Sequence, residues 1–224
     1  MATRFGVIRF PGSCDEVDAA AACDRVGEAE ILWHRDADLR GVDAVVVPGG
    51  FSYGDYLRVG AIARFAPVME KVAEFAAAGG PVLGICNGFQ VLCEAGLLPG
   101  ALLPNERLKF TFRQLDLVVE STASAWSSAC APGDVLSIPV KHTTGRYFAP
   151  AEMLDELEAN DQVVLRYAPG QNPNASLRDI AGVRNEAGNV MGLMPHPEHA
   201  VDPLTGSTDG LRLFESATRV GATA

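Results

Sequence analysis

Short, unbroken apolar runs organise the first half of the chain. Phe5 to Phe10 is a largely apolar run stopped by Pro11-Gly12, Ala29 to Trp33 is a second, and Ala44-Val45-Val46-Val47 is β-branched with no polar interruption. Continuous apolar strands are typical of parallel sheets covered on both faces, so these runs predict the first three strands of such a sheet. Between the first two, Ser13 with Glu16 three residues later has the form of a capping box and predicts a helix through Val26 to Gly27. A loop is expected from Pro48 to Arg58, and a helix from about Ala61 to Ala78. Pro81 to Ile85 reads as the fourth strand and Gly88 to Ala95 as a short helix stopped by Gly96. The stretch Phe75 to Cys93 carries no charge over 19 residues, close to membrane-spanning length. Gly79-Gly80-Pro81 breaks it, so it predicts a buried helix, strand and helix rather than a membrane span.

The second half is strand-rich. Leu115 to Glu120, Val135 to Val140, Val163 to Tyr167, Ile180 to Arg184 and Val190 to Met194 predict strands. Turn signals stand at Asn172-Pro173-Asn174 and Gly188-Asn189. An acidic helix is expected over Ala151 to Ala159, and a closing helix over Gly210 to Val220. No repeat, low-complexity tract or linker interrupts the pattern, which predicts one α/β domain over residues 1–224.

Composition narrows the function. A formal charge of −10 argues against nucleic-acid binding, which demands a basic face. The charge is uneven: Ala101 to Ala149 holds Arg107, Lys109, Arg113, Lys141 and Arg146 against Glu106, Asp116, Glu120 and Asp134, and is expected to form a docking face. Five cysteines with no C-x-x-C pair, and no basic segment followed by an apolar run at the N-terminus, suggest reduced thiols and a cytoplasmic protein. No lysine follows a glycine, no G-x-G or H-E-x-x-H occurs, and the four histidines show no recognised metal spacing. These absences argue against the usual nucleotide loops and a structural zinc.

Three features carry chemistry. Gly84-Ile85-Cys86-Asn87-Gly88 lies where a buried strand turns into a helix, the arrangement of a nucleophile elbow. Cys86 is either a nucleophile at a helix N-terminus, where the dipole favours thiolate, or a small cysteine in a crowded turn. Pro195-His196-Pro197-Glu198 follows the last apolar strand, and its prolines favour extended backbone, so that residues two apart project to similar sides. Glu198 would then orient His196 toward Cys86; the bland alternative is a hydrogen-bonded loop histidine. Pro48-Gly49-Gly50 is either a tight turn or a close backbone approach in which Gly50 and Asn87 amides form an oxyanion hole. Such strand ends meet at the carboxyl edge of a parallel sheet, where ligands bind. His34 and His142 read as surface or hydrogen-bonded loop histidines, and His199 as a solvated neighbour.

Together these residues resemble a class I glutamine amidotransferase. The strings Pro48-Gly49-Gly50-Phe51-Ser52-Tyr53-Gly54-Asp55-Tyr56-Leu57-Arg58 and Gly84-Ile85-Cys86-Asn87-Gly88-Phe89-Gln90 are similar to the glutaminase-subunit family of phosphoribosylformylglycinamidine synthases. The resemblance covers essentially the whole chain. It implies a flavodoxin-like, mostly parallel sheet with helices on both faces, and a triad of Cys86, His196 and Glu198. It also implies Gly50 and Asn87 as oxyanion donors, with Gln90 and Gly49 against the bound glutamine. Implied partners are a large synthetase subunit with a small bridging subunit, ATP and magnesium being held on the synthetase and no cofactor in this chain. Rival readings are a stand-alone cysteine hydrolase, a non-catalytic binding module, and an amidotransferase serving another synthetase. The chain departs from the family at Lys141, Thr143 and Thr144, and at His199, where an arginine is common.

Overall fold

Val45, Val46 and Val47 have no polar neighbour to turn toward water, and the sheet is built around them. In the computed structural model, which describes residues 2–220, the elements run in chain order as follows. The first half contains β1 (Arg4–Arg9), α1 (Glu16–Cys23), β2 (Glu28–Trp33), β3 (Ala44–Val47), α2 (Pro67–Ala77), β4 (Val82–Ile85) and α3 (Asn87–Glu94). The second contains β5 (Ala101–Pro104), β6 (Thr111–Val119), β7 (Val135–His142), β8 (Thr144–Phe148) and α4 (Ala151–Ala159). It continues with β9 (Val163–Tyr167), β10 (Ile180–Arg184), β11 (Val190–Leu193) and α5 (Leu211–Val220).

Nine strands form one sheet in the order β2-β1-β3-β4-β11-β10-β9-β6-β7. The pairings from β2 through β11 are parallel, and those from β11 onward are antiparallel. Every residue of β3 and β4 is buried, as strands covered on both faces must be. Helix α1 packs on β1 and β2 with α5 beside it, and α3 packs on β3, β4 and β11. Among the described residues, no helix is long and apolar enough to cross a membrane.

The architecture agrees with the α/β expectation, while several local expectations are corrected. The capping box does not form. Ser13 Oγ instead accepts from the Phe10 amide at 3.0 Å, and Glu16 pairs with Arg9 at 2.9 Å. The residue before α1 is Asp15, whose side chain makes no cap bond and is directed to tertiary partners instead. The helix expected over residues 61–78 is interrupted at Ala66 (ψ 140°), because the residue before Pro67 is excluded from the helical region. Pro67 then opens α2 from its first turn, where a missing N–H costs nothing. β6 begins at Thr111, four residues earlier than its apolar core suggested, and the two-stranded sheet of β5 and β8 has no sequence pattern that announced it.

Glycine at 88 is what lets α3 lie against β3: a Cβ there would stand 1.8 Å from the Val47 carbonyl oxygen. Gly88→Ala should therefore destabilise the protein by at least about 3 kcal/mol in urea denaturation. Gly96→Ala, where an added Cβ meets nothing, should lose only about 1 kcal/mol from its positive φ. Equal effects from the two substitutions would contradict the close approach.

Candidate active site

The backbone at Cys86 is strained, with φ 50° and ψ −103°. Such a conformation is costly for a non-glycine residue and persists only where its surroundings impose it. Its amide donates to Leu193 O at 2.8 Å, and its carbonyl accepts from Gln90 N at 3.2 Å in the first turn of α3. A Cβ at Gly84 would meet the Gly88 backbone at 2.8 Å, so the small residues flanking Cys86 are sterically required. The thiol lies at the N-terminus of α3, where the positive end of the helix dipole points.

His196 follows β11, the parallel neighbour of β4, and its amide donates to Pro139 O at 2.8 Å. Its Nδ1 lies 2.6 Å from Glu198 Oε1, and both side chains are buried. The other ring nitrogen, Nε2, is buried without a hydrogen-bond partner among the described residues, and His196 and Cys86 line the same cavity of about 100 Å³. Burial opposes an imidazolium here, but the charges of Glu198 and Cys86 outweigh it and raise the His196 pKa well above the usual imidazole value.

A second carboxylate stands behind the imidazole. Asp15 Oδ2 is 3.6 Å from His196 Nδ1, while Oδ1 meets Lys141 Nζ at 2.5 Å and His199 Nε2 at 3.3 Å. Burial alone would raise the Asp15 pKa, yet His199, His196 and Lys141 hold it far below the ordinary carboxylate value. Gly49 makes room for this contact, since a Cβ there would stand 2.3 Å from Asp15 Oδ2 and 2.8 Å from His196 Cε1. Ligand atoms of Asp15, His196, Glu198 and His199 lie within 4.8 Å of one another, but an ammonium already occupies Asp15 Oδ1. The four side chains and Lys141 form one ion-pair network.

Of the remaining predicted residues, Gly50 and Gln90 line the same cavity, and Asn87 directly follows Cys86. Gly50 has φ 147°, and a Cβ there would meet the Cys14 amide nitrogen at 2.7 Å. Asn87 is the first residue of α3, so its own N–H has no acceptor within the helix. Its side chain accepts from the Ser52 amide at 3.0 Å and donates to Gln90 Oε1 at 3.0 Å and Asp55 Oδ1 at 3.2 Å. Gln90 Nε2 in turn donates to Thr144 O at 2.6 Å. A thiol, a buried imidazole with a free nitrogen, and amides beside the thiol can together perform acyl transfer from a carbonyl substrate.

The CobB/CobQ-like glutamine amidotransferase domain matches residues 2–219. The chain belongs to this family. Among its relatives is the phosphoribosylformylglycinamidine synthase subunit PurQ of Mycolicibacterium paratuberculosis, 62% identical over 96% of each chain. The structure of PurLQS from Thermotoga maritima contains a chain that superposes with a TM-score of 0.89, at 41% identity, over 98% of this chain and 99% of that one. A GMP synthase-type protein from Thermoplasma acidophilum shares the fold at a TM-score of 0.66 and 14% identity, over 100% of this chain and 96% of that one. This is the class I glutamine amidotransferase fold, a family whose members need no cofactor in this domain.

The amidotransferase site holds more residues than its sequence motifs announced. Lys141, expected on an outer docking face, instead pairs with Asp15, because β7 ends over the cavity and carries Lys141 and His142 with it. His199, expected in solvent, is half-buried on Asp15. His142, expected as a surface or hydrogen-bonded loop residue, is instead buried at the end of β7, bonded through Nδ1 to Asn105 Oδ1 at 3.0 Å; it lines the cavity, and its Nε2 has no partner among the described residues. Burial, helped by the charge of His196, lowers its pKa to about 4. The positive balance of the middle segment was the one available hint of Lys141, and it gave no address.

Asp15 makes a prediction about acid stability. Its pKa is depressed by folding, so its contribution is fully present above the unfolded carboxylate pKa of about 4 and is lost as pH falls through the folded value. Asp15→Asn should lower the urea midpoint by a constant amount above about pH 5, and the gap from wild type should shrink as pH drops below about 4. A gap that widens in acid contradicts the network.

Proposed function

We propose that this chain is the glutaminase subunit of a phosphoribosylformylglycinamidine synthase. In that role it hydrolyses glutamine and delivers ammonia to a synthetase that uses ATP to convert formylglycinamide ribonucleotide to its amidine in purine biosynthesis. The observation that carries the reading is the buried imidazole of His196, held on one nitrogen by Glu198 and free on the other, in the cavity that contains Cys86. The Cys86 thiolate attacks the side-chain amide carbon of glutamine, and the developing oxyanion is received by the Gly50 and Asn87 amides, together worth about 3 kcal/mol or more. His196, as imidazolium, gives its proton to the departing nitrogen, and ammonia leaves a glutamyl thioester. Neutral His196 then takes a proton from water as it attacks the thioester, which releases glutamate and restores the thiolate. Glu198 holds the imidazole in the required tautomer, and Gln90 and Gly49 shape the glutamine pocket.

The identity to PurQ subunits along nearly the whole chain supports this assignment over a stand-alone hydrolase. The partners are then a large synthetase subunit with a small bridging subunit, ATP and magnesium being held on the former, and the setting is the cytoplasm. Arg107, Lys109 and Arg113 are exposed beside the exposed side chains of Leu108, Phe110 and Phe112, and Phe110 reaches the cavity mouth. That mixed basic and apolar strip is suited to docking the synthetase, with one amidotransferase domain filling residues 1–224.

Cys86→Ala should abolish glutamine-dependent amidine synthesis in the reconstituted complex while synthesis from added ammonium persists. Glutamate release that survives the substitution would sink the assignment. Adding the synthetase, ATP and formylglycinamide ribonucleotide should strongly stimulate glutamate release by the wild-type protein, and a silent response would point to a non-catalytic module.

A further inference from the structure

Cys86 deals with one end of its substrate; the other end of glutamine carries an ammonium and a carboxylate. An ammonium moved out of water into a closing site needs an anionic partner, or binding is penalised. Two carboxylates line the cavity, Asp15 and Asp55. Asp15 is already committed to Lys141, His199 and His196. It has no charge left to offer a ligand.

Asp55 stands differently. Its partner is the neutral side-chain amide of Asn87, on Oδ1 at 3.2 Å, and it makes no ion pair among the described residues. Partial burial, offset only in part by Asn87, pushes its pKa up to about 6, the behaviour of a carboxylate withdrawn from water without a cation beside it. The same Asn87 amide holds Gln90 at 3.0 Å, so Asp55 and Gln90 are fixed relative to each other and to Cys86, the residue immediately before Asn87. The loop carrying Asp55 is strained to this end: Tyr53, Asp55 and Leu57 all have positive φ, a region that is unfavourable for residues with a Cβ. Ser52, at the start of the loop, is anchored by its amide on Asn87 Oδ1 at 3.0 Å. The outcome is a carboxylate turned to the cavity while Tyr56 and Leu57 beside it face solvent.

We propose that Asp55 binds the α-ammonium group of glutamine and so makes the site selective for an amino-acid amide over a simple carboxamide. The assignment rests on the glutaminase reading of Cys86 and adds the residue that recognises the non-reacting end of the substrate. A charged carboxylate meeting an ammonium in a partly dehydrated cavity gives a charge-assisted hydrogen bond, stronger than a neutral one. Asp55→Asn keeps the size of the side chain and an oxygen for Asn87 but removes the charge.

The test compares glutamine with 4-carbamoylbutanoate, which is glutamine without its amino group, in the assembled synthetase complex. Asp55→Asn should lower kcat/KM for glutamine by about tenfold or more and leave kcat/KM for the deaminated amide nearly unchanged, so the ratio between the two collapses. Asp55→Glu should recover part of the ratio. The same comparison of Kd values by calorimetry, in a complex carrying Cys86→Ala with and without Asp55→Asn, reads recognition free of chemistry. Equal losses for both substrates would show that Asp55 only supports Asn87 and would overturn the proposal, as would an unchanged ratio. If glutamate release persists in Cys86→Ala, the glutaminase reading falls and takes this assignment with it; an unchanged ratio with Cys86-dependent turnover removes the Asp55 assignment alone.

Discussion

The turn at Cys86 admits no side chain two residues to either side, at Gly84 and Gly88, and the geometry of the carboxyl edge depends on it. β4 has to end and α3 begin within one residue, which forces Cys86 to φ 50° and ψ −103°. Gly88 lets the new helix sit on the Val47 carbonyl, and Gly84 lets it fold back on its own strand. The Cys86 amide is tied to Leu193, the last residue of β11, so the elbow is locked to the strand that delivers His196 just beyond its end. Strain of this kind is held by the parallel register of β3, β4 and β11, in which Gly84 pairs with both Val47 and Gly192.

Around that fixed point the electrostatics are arranged in pairs. Two buried carboxylates, Glu198 and Asp15, approach Nδ1 of His196 from 2.6 and 3.6 Å. Two such charges on one neutral ring would repel each other, and Lys141 and His199 supply the compensating positive groups on Asp15. The imidazole is thereby kept both oriented and easily protonated, which suits the proton transfers proposed for it. On the other side of the cavity Asn87 joins Ser52, Asp55 and Gln90 into a rigid wall. Its side chain ties that wall to the same turn that presents the thiol.

How far this was legible in the chain depends on the range of the cause. Unbroken apolar runs at Val45–Val47 and Val82–Ile85 translate directly into doubly covered strands, because no residue in them tolerates water. The acidic helix emerges at Ala151–Ala159 as expected, while the helix over residues 61–78 fails at Ala66, where the rule for the residue before proline outweighs helical periodicity. The capping box at Ser13 and Glu16 fails for a different reason. Both side chains find partners around β1, and Asp15 between them is drawn into the site. The cysteine, histidine and glutamate announce themselves because the glycines and prolines around them are local backbone requirements. Lys141, His142 and His199 carry no such punctuation.

By itself, then, the sequence determined the buried parallel strands and the elbow, since each follows from sterics and solvation acting within a few residues, while the grouping of Cys86 with His196 and Glu198 was carried by the resemblance to a family. Tertiary structure alone decided the rest of the site. Asp15 and Lys141 are 126 residues apart, and nothing local at either position specifies the other. They meet because β7, at the far end of the strand order from β1, returns its last residues over the cavity, where Pro139 also accepts the His196 amide. A basic residue that looks like surface charge in the sequence becomes the counter-ion of a buried carboxylate, because pairing in a dehydrated pocket is set by which strands are brought together.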